Sequence, residues 1–346
     1  MRLADRIAQC RTPFVVQNTK DGSITHLNSA TAFSKDIDNC ATRYLLSDEL
    51  TRLCTALAYS KGASTLACAD LLHVPAERVW VEWTEAAWRN ELASYGFNNP
   101  ADPGHPGRRG VFIQSTPQGR RGLLRTFWAS GESELNVLSS SMEAYFDLDT
   151  GEDEEPDPPD EHDCPPIRMS DAADRRLGLL RRCFRFRFER TWADYYRRAA
   201  LSSEREAAVT HHALGTIAAD IPMLLAFFLL LSTRTGLPRR TPELERLNLS
   251  RARAGKAPLL DHIEVLSPVL GESYSAGGTG PALQRRAARL HHVRGHLVRR
   301  GSQLFWRVPH LRGNARSGVV RTRTVTWTID RPASRQSGEV ARSRPS

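Results

Sequence analysis

The first long amphipathic pattern spans residues 44–74. In YLLSDELTRLCTALAYSKGASTLACADLLHV, apolar residues recur at helical spacing. Ser47 is placed to cap this helix, and Glu49 falls in its first turn, where a carboxylate is favourable. We expect Pro75 to end the unit and to begin a second helix, AERVWVEWTEAAWRNELASYGF, which closes at Gly96.

Three strand-like runs follow, each bounded by glycine or proline. They are GVFIQST at 110–116, GLLRTFWAS at 122–130 and EAYFDLD at 143–149. Region 1–150 is therefore predicted to be a set of helices packed on a small antiparallel sheet.

The pattern is helical again from residue 169 to residue 236. Within it, FRFRF (184–188) alternates like a strand but also suits a helix, and the long flanking helical stretches favour helix. The most apolar run, 221–231, is shorter than the roughly 20 residues that cross a bilayer, so it is predicted to be a buried helix. His211 and His212 are interpreted as ordinary helix histidines, partly exposed or hydrogen-bonded, rather than catalytic.

After Pro238 the chain changes to polar and strand-compatible pieces. Residues 247–268 run from a polar helix end into a strand, and GESYSAGGTGP (271–281) reads as a loop. Further strands are predicted at 291–298, 303–308 and 319–329.

Composition suggests where the chain divides. Its 346 residues exceed the usual size of one core. Residues 150–166 contain eight carboxylates and five prolines, which predicts a solvated linker rather than a calcium loop, whose ligand register they lack. We therefore predict an α+β protein. Its parts are a domain at 1–150, an acidic linker at 151–168, a helical and basic β-rich domain at 169–330 and a disordered tail at 331–346.

The charge is unevenly distributed along the chain. The net charge is +9, yet residues 232–346 contain 22 Lys and Arg against 7 Asp and Glu. This local excess of 15 leaves the other 231 residues at about −6, so a mildly acidic body carries a basic end. Only four cationic residues are lysine, which a GC-rich genome would explain as well as a need for guanidinium groups.

Several familiar classes of chemistry are not indicated. Six scattered cysteines without a CxxC pair argue against a zinc ribbon or a disulfide framework and suit a reducing cytoplasm. Asp5 and Arg6 interrupt the N-terminal apolar residues, so no secretory signal is expected. No phosphate-binding loop, dinucleotide fingerprint, GxSxG or HExxH motif occurs, and no cofactor is predicted.

One basic constellation remains, RLHHVRGHLVRRGSQLFWRVPHLRG at 289–313. It holds four histidines and six arginines but no carboxylate, so a metal site is not expected. Arginines attract phosphates, and aromatic rings offer stacking faces to unpaired bases. The predicted nucleic-acid-binding residues are Arg289, Arg294, His296, Arg299, Arg300, Trp306 and Arg312.

Other interpretations of these residues stay open. His291 and His296 could serve as acid and base in a metal-independent ribonuclease, with arginine stabilising the charge of the transition state. Alternatively, Phe305 and Trp306 are core residues of a strand whose arginines face solvent. A third possibility is a protein-interaction module in which the acidic segment 150–166 docks on a basic partner.

The same segment resembles a known family. Arg289-x-His291-x-x-Arg294-Gly295-His296, followed by Trp306-x-x-Pro309, is similar to a C-terminal signature of the phage and plasmid proteins related to the second type V-A anti-CRISPR inhibitor. Ser60-x-Gly62 and the triplet Trp88-Arg89-Asn90 are similar to a helical stretch of that inhibitor that ends in a WRN-like triplet. The apolar helix at 221–232 falls in the corresponding place.

The resemblance implies a mobile-element-encoded regulator in the cytoplasm of a bacterial host. Members of the family with an assigned role lower production of the type V-A CRISPR effector nuclease by acting on its nascent N-terminal peptide, with loss of the mRNA. The implied partners are RNA or a ribosome–nascent-chain complex and a peptide of the target protein, with no membrane.

Overall fold

The computed structural model describes fourteen ranges of the chain and divides it into two units. The ranges are 2–9, 14–17, 24–27, 29–59, 70–96, 107–129, 137–150, 183–199, 203–234, 236–268, 289–293, 295–307, 310–312 and 314–319. Unit 1 comprises Met1–Leu270 and Gly295–Val308, and unit 2 comprises Gly271–Arg294 and Pro309–Ser346. The predicted acidic linker, the 271–281 loop and the tail lie outside the described residues.

Unit 1 is built on an eight-stranded mixed sheet. Its strands are β3 (Thr42–Leu46), β4 (Arg78–Thr84), β5 (Arg108–Ser115), β6 (Arg121–Ala129), β7 (Val137–Asp147), β8 (Phe184–Phe188), β9 (Arg239–Arg240) and β10 (Ile263–Val265). Their order is β8-β7-β6-β5-β4-β3-β10-β9, with β3 parallel to both β4 and β10 and all other neighbours antiparallel. The predicted α+β class and the three strands of region 1–150 are confirmed.

Helices cover both faces of this sheet. The described helices are α1 (Leu3–Gln9), α2 (Ser29–Asp38), α3 (Asp48–Tyr59), α4 (Glu85–Ala93), α5 (Arg190–Ala199), α6 (Ser203–Leu231) and α7 (Glu245–Arg253), of which α7 has no buried residue. A small hairpin, β1 (Phe14–Gln17) and β2 (Ile24–Leu27), lies between α1 and α2 along the chain. The predicted cap of α3 is confirmed, because the Leu50 N–H donates to Ser47 Oγ at 3.2 Å. The turn after α4 closes at Gly96, whose φ of 86° favours glycine.

Two segments that were predicted to be helical form strands instead. FRFRF is strand β8, whose Phe184 and Phe186 are buried while Arg187 Nε donates to Glu143 Oε1 of β7 at 2.6 Å. The helix expected after Pro75 begins only at Glu85, because RVWVEWT forms β4. That strand is central and covered on both faces, so its apolar residues do not alternate cleanly with polar ones.

The core has one cluster of buried side chains on each face of the sheet. On one face, Val79 and Val81 of β4 pack with residues of α3, α4 and α6. On the other face, Trp80, Phe112 and Phe127 pack with residues of α1 and α2. Strands from both sides of 151–182 belong to this sheet, so the expected boundary near residue 150 does not divide it.

Helix α6 is the buried apolar helix that the sequence predicts. By length and composition it could cross a membrane, yet most of its apolar window is enclosed by the rest of the protein. This burial is typical of a core helix in a soluble protein.

The basic C-terminal part supplies strands to both units. In unit 1, β12 (His296–Arg300) and β13 (Gln303–Arg307) form an antiparallel hairpin that turns at Gly301, with φ of 60°. In unit 2, β11 (Arg289–Val293), β14 (His310–Arg312) and β15 (Asn314–Val319) form a three-stranded sheet in the order β14-β11-β15.

Candidate nucleic-acid interface

The structure divides the predicted binding residues between the two units. Arg289, His291 and Arg312 belong to unit 2, where His291 is the register partner of Arg312 on the neighbouring strand. Arg294 lies outside the described residues. The hairpin of unit 1 holds the rest, which are His296, Arg299, Arg300 and Trp306. The two candidate catalytic histidines therefore belong to different units.

The hairpin has one buried and one outward face, which its register defines. Leu297 is paired with Trp306, and Arg299 with Leu304, so these four residues share a face. Leu297, Leu304 and Trp306 are all buried and belong to the core of unit 1. The other face carries the three remaining pairs, His296 with Arg307, Val298 with Phe305 and Arg300 with Gln303.

Phe305, rather than Trp306, is the aromatic residue of the outward face. Only 6% of Trp306 is exposed, so its ring offers no surface to an incoming base. Phe305 is half-buried, and the Arg300 guanidinium lies 5.8 Å from the centroid of its ring. Arg300, Arg307 and His296 are exposed around it. Phe305 and Arg307 were not among the predicted binding residues, and only the pairing register identifies them.

Arg299 shares the face of Leu297 and Leu304 by register, and its side chain, which is 43% exposed, anchors the hairpin instead. Its Nη1 and Nη2 contact the Asp70 carboxylate at 2.8 Å each, and its Nε donates to the Gly301 carbonyl at 3.0 Å. At the same end of the hairpin, Arg234 donates from its backbone N–H to the Leu304 carbonyl at 3.0 Å and from Nη1 to Gln303 Oε1 at 3.1 Å. These contacts fix the hairpin on the body of unit 1 before any ligand binds.

The electrostatics of the outward face follow from this arrangement. Asp70 offsets the charge of Arg299, whereas no residue of the hairpin sequence is a carboxylate that could offset Arg300 or Arg307. An aromatic ring between two guanidinium groups can stack on a base while the guanidinium groups pair with the adjoining phosphates. Within the described ranges, no group of three or more His, Cys, Asp or Glu residues is placed to hold a metal ion.

No protein-family model, curated protein or solved structure matches this chain. The resemblance to the anti-CRISPR family therefore rests on the sequence motifs alone.

Proposed function

We propose that this protein is a mobile-element-encoded regulator that binds RNA through the outward face of its β12–β13 hairpin. It acts in the cytoplasm of a bacterial host and lowers production of a target protein by recognising the nascent peptide and promoting loss of its mRNA. The RNA-binding part is supported by the geometry of the hairpin. The anti-CRISPR-like part is supported by the sequence motifs that resemble the family.

One observation carries the RNA-binding proposal, namely that exposed Arg300 and Arg307 share a face with half-buried Phe305 on a hairpin whose own residues include no carboxylate. A small anion would need the guanidinium groups but not the ring. Duplex nucleic acid would pair with the guanidinium groups but keep its bases stacked away from the ring. Unpaired RNA uses both, so a single strand is the ligand that fits this face best.

The test compares RNA binding by variants of the outward face with binding by a control variant outside the hairpin. For Arg300→Gln/Arg307→Gln we expect the affinity for a short single-stranded RNA to fall about tenfold or more. The slope of log K against log salt should flatten by about 1.4, because two phosphate contacts are lost. For Phe305→Leu we expect a loss of about 1–3 kcal/mol that depends little on salt, since stacking is lost and charge is kept. Fluorescence anisotropy at several salt concentrations measures both effects.

The matched control is Arg121→Gln, which removes the same charge from an exposed side chain that pairs with Asp147 outside the hairpin. It should bind RNA like the unaltered protein. Equal losses in Arg121→Gln and Arg300→Gln, or unchanged affinity in the double variant, would contradict the proposal. Coexpression of the same variants with a type V-A effector nuclease, with its mRNA measured, asks whether RNA binding is needed for the regulatory effect.

A further inference from the structure

Helix α7 projects from the sheet without contributing to the core. It lies in the connection between β9 and β10, and none of its residues is buried. Hydrogen bonds around Asn248 nevertheless tie α7 to the segment that follows it. Asn248 Nδ2 donates to the Leu259 carbonyl at 3.0 Å, and the Leu259 N–H donates back to Asn248 Oδ1 at 2.8 Å. Arg251 Nε adds a bond to the Ala257 carbonyl at 2.8 Å.

This helix exposes large apolar side chains to solvent. Leu247 is 47% exposed and Leu249 is 56% exposed, and in the described part of the chain only Leu266 joins them as an exposed large hydrophobic residue. Single exposed leucines are common on protein surfaces. Leu247 and Leu249 are two positions apart, about 160° around the helix, so Leu249 is the apolar side chain of one side and Leu247 that of the other.

Arginines lie between these leucines on the helix surface. Arg246, Ser250 and Arg253 follow each other at i, i+4 and i+7, which places them in one row along the helix. At 100° per residue, Leu249 falls on one side of this row and Leu247 on the other. Among the described residues, no carboxylate pairs with Arg246 or Arg253.

The local charge is strongly positive. Residues 239–256 contain six Lys and Arg against two Glu. Arg240 is paired with Glu264 at 2.8 Å, and Arg251 donates to the Ala257 carbonyl within the connection. The positive charge available to a partner on this helix is therefore that of Arg246 and Arg253.

We infer that this face of α7 docks an acidic amphipathic helix of a partner protein. Arg246 and Arg253 are about 10 Å apart along the axis, which matches two carboxylates seven residues apart on a second helix. Leu249, about 60° from Arg246 around the helix, needs apolar cover, which leucine-like side chains of such a helix provide and a phosphate backbone does not. The surface is separate from the hairpin face, so it stands independently of the proposed RNA binding.

The probe is a synthetic, fluorescently labelled helical peptide that carries glutamates at i, i+4 and i+7 with leucines on both sides of that row. The comparison peptide has glutamine at the three positions. Fluorescence anisotropy with the full-length protein should show the glutamate peptide binding about tenfold more tightly than the glutamine peptide, with the difference shrinking in high salt.

Substitutions in α7 test whether the peptide binds to this face. Arg246→Gln/Arg253→Gln should remove the preference for glutamate, and Leu249→Ser should weaken both peptides. Leu249→Met keeps an apolar side chain, and Lys256→Gln removes a charge beyond the helix, so both should bind like the unaltered protein. The hairpin variant Arg300→Gln/Arg307→Gln should keep peptide binding while losing RNA binding, which separates failure of one proposal from failure of the other.

Three outcomes would overturn the inference. The first is that the two peptides bind equally or neither binds. The second is that Lys256→Gln weakens binding as much as the Arg246→Gln/Arg253→Gln pair. The third is that the α7 variants lose affinity for single-stranded RNA and not for the glutamate peptide, which would make α7 a nucleic-acid contact.

Discussion

Arg109 on β5 shows how unit 1 accommodates a charged side chain between the sheet and α6. Its Nε donates to Asp220 Oδ1 at 2.7 Å and its Nη2 to Asp220 Oδ2 at 3.0 Å. Thr126 Oγ1 also donates to Asp220 Oδ2 at 3.0 Å, and the Trp88 ring lies 4.8 Å from the guanidinium. Burial raises the pKa of Asp220, and the nearby Arg109 opposes that rise. The buried Asp220 charge is therefore compensated by Arg109, whereas Arg109 also lies 3.7 Å from Glu85 and donates to the Thr216 carbonyl at 2.9 Å.

We expect the loss of one partner to be more harmful than the loss of both. Asp220→Ala leaves the buried Arg109 charge with the more distant Glu85 carboxylate and should lower the free energy of unfolding by about 3 kcal/mol. Arg109→Met/Asp220→Leu replaces the pair with apolar side chains of similar size and should recover most of this loss. Urea denaturation measures both. A double variant no more stable than Asp220→Ala would show that the pair is not the source of the effect.

At the residue scale, the sequence alone does not determine which of Phe305 and Trp306 faces outward. Adjacent residues of a strand face opposite sides, so one of the two had to be outward. The residue types do not indicate which of the two is outward, because both Phe and Trp suit a buried core as well as a surface on which bases stack. The orientation of the strand follows from the pairing of Leu297 with Trp306 on the core side, and this pairing is known only from the three-dimensional structure.

At the element scale, a buried carboxylate on β4 adds to the apolar packing that holds α1 on the sheet. Glu82 accepts from the Leu3 N–H at 2.8 Å and the Ala4 N–H at 3.0 Å, and also from Trp80 Nε1 at 3.1 Å. Arg108 pairs with it as well. The first N–H groups of a helix lack partners within the helix, so Glu82 satisfies two of them and complements the helix dipole.

We expect Glu82→Ala to loosen α1 on the sheet. Several bonds to a charged group are lost, each typically contributing about 1.5–3 kcal/mol. Amide hydrogen exchange should accelerate across Leu3–Gln9 before other parts of unit 1 respond. Glu264→Ala is the matched control, since its partner Arg240 is largely exposed and such pairs contribute about 0–1 kcal/mol. Unchanged exchange in α1 would count against this role of Glu82.

Elements were predictable where local pattern and tertiary setting agree. The apolar run of α6 and the amphipathic run of α3 are long enough to indicate their helices. Segments of strand length were not, because a short apolar run fits both periodicities. Central strand β4 and edge strand β8 take their form from their neighbours in the sheet rather than from their own residues.

At the scale of the whole molecule, unit 1 depends on residues from both sides of the acidic segment. Strand β8 pairs with β7 from Met142 to Phe146, and β10 pairs in parallel with β3. Helix α6 packs against the sheet in the larger core cluster. The larger cluster therefore needs both parts, whereas the buried residues of the smaller cluster all lie between Leu3 and Val137.

A cut in the acidic segment should therefore leave the molecule assembled. A protease site engineered within 151–166 and cleaved to completion should give two fragments that co-elute in size-exclusion chromatography and unfold in one transition. The uncut variant is the control. Elution of the N-terminal fragment alone, with native circular dichroism, would show that it folds by itself.

Composition indicates a candidate basic region along the chain but not how its residues are arranged in space. The excess of arginine indicated the basic end, because charge counts need no knowledge of the fold. The division of residues 289–313 between two units carries no local signal, since it depends on which apolar side chains join the core of unit 1.

The late position of the hairpin also affects synthesis. A ribosome makes Leu297, Leu304 and Trp306 well after β10, yet these side chains complete the core near the C-terminal end of α6. The larger core cluster of unit 1 is therefore complete only after these residues are made, even though early parts of a chain begin to fold during translation. A product that terminates before residue 295 would expose that apolar surface and would be a substrate for chaperones rather than a shorter working protein.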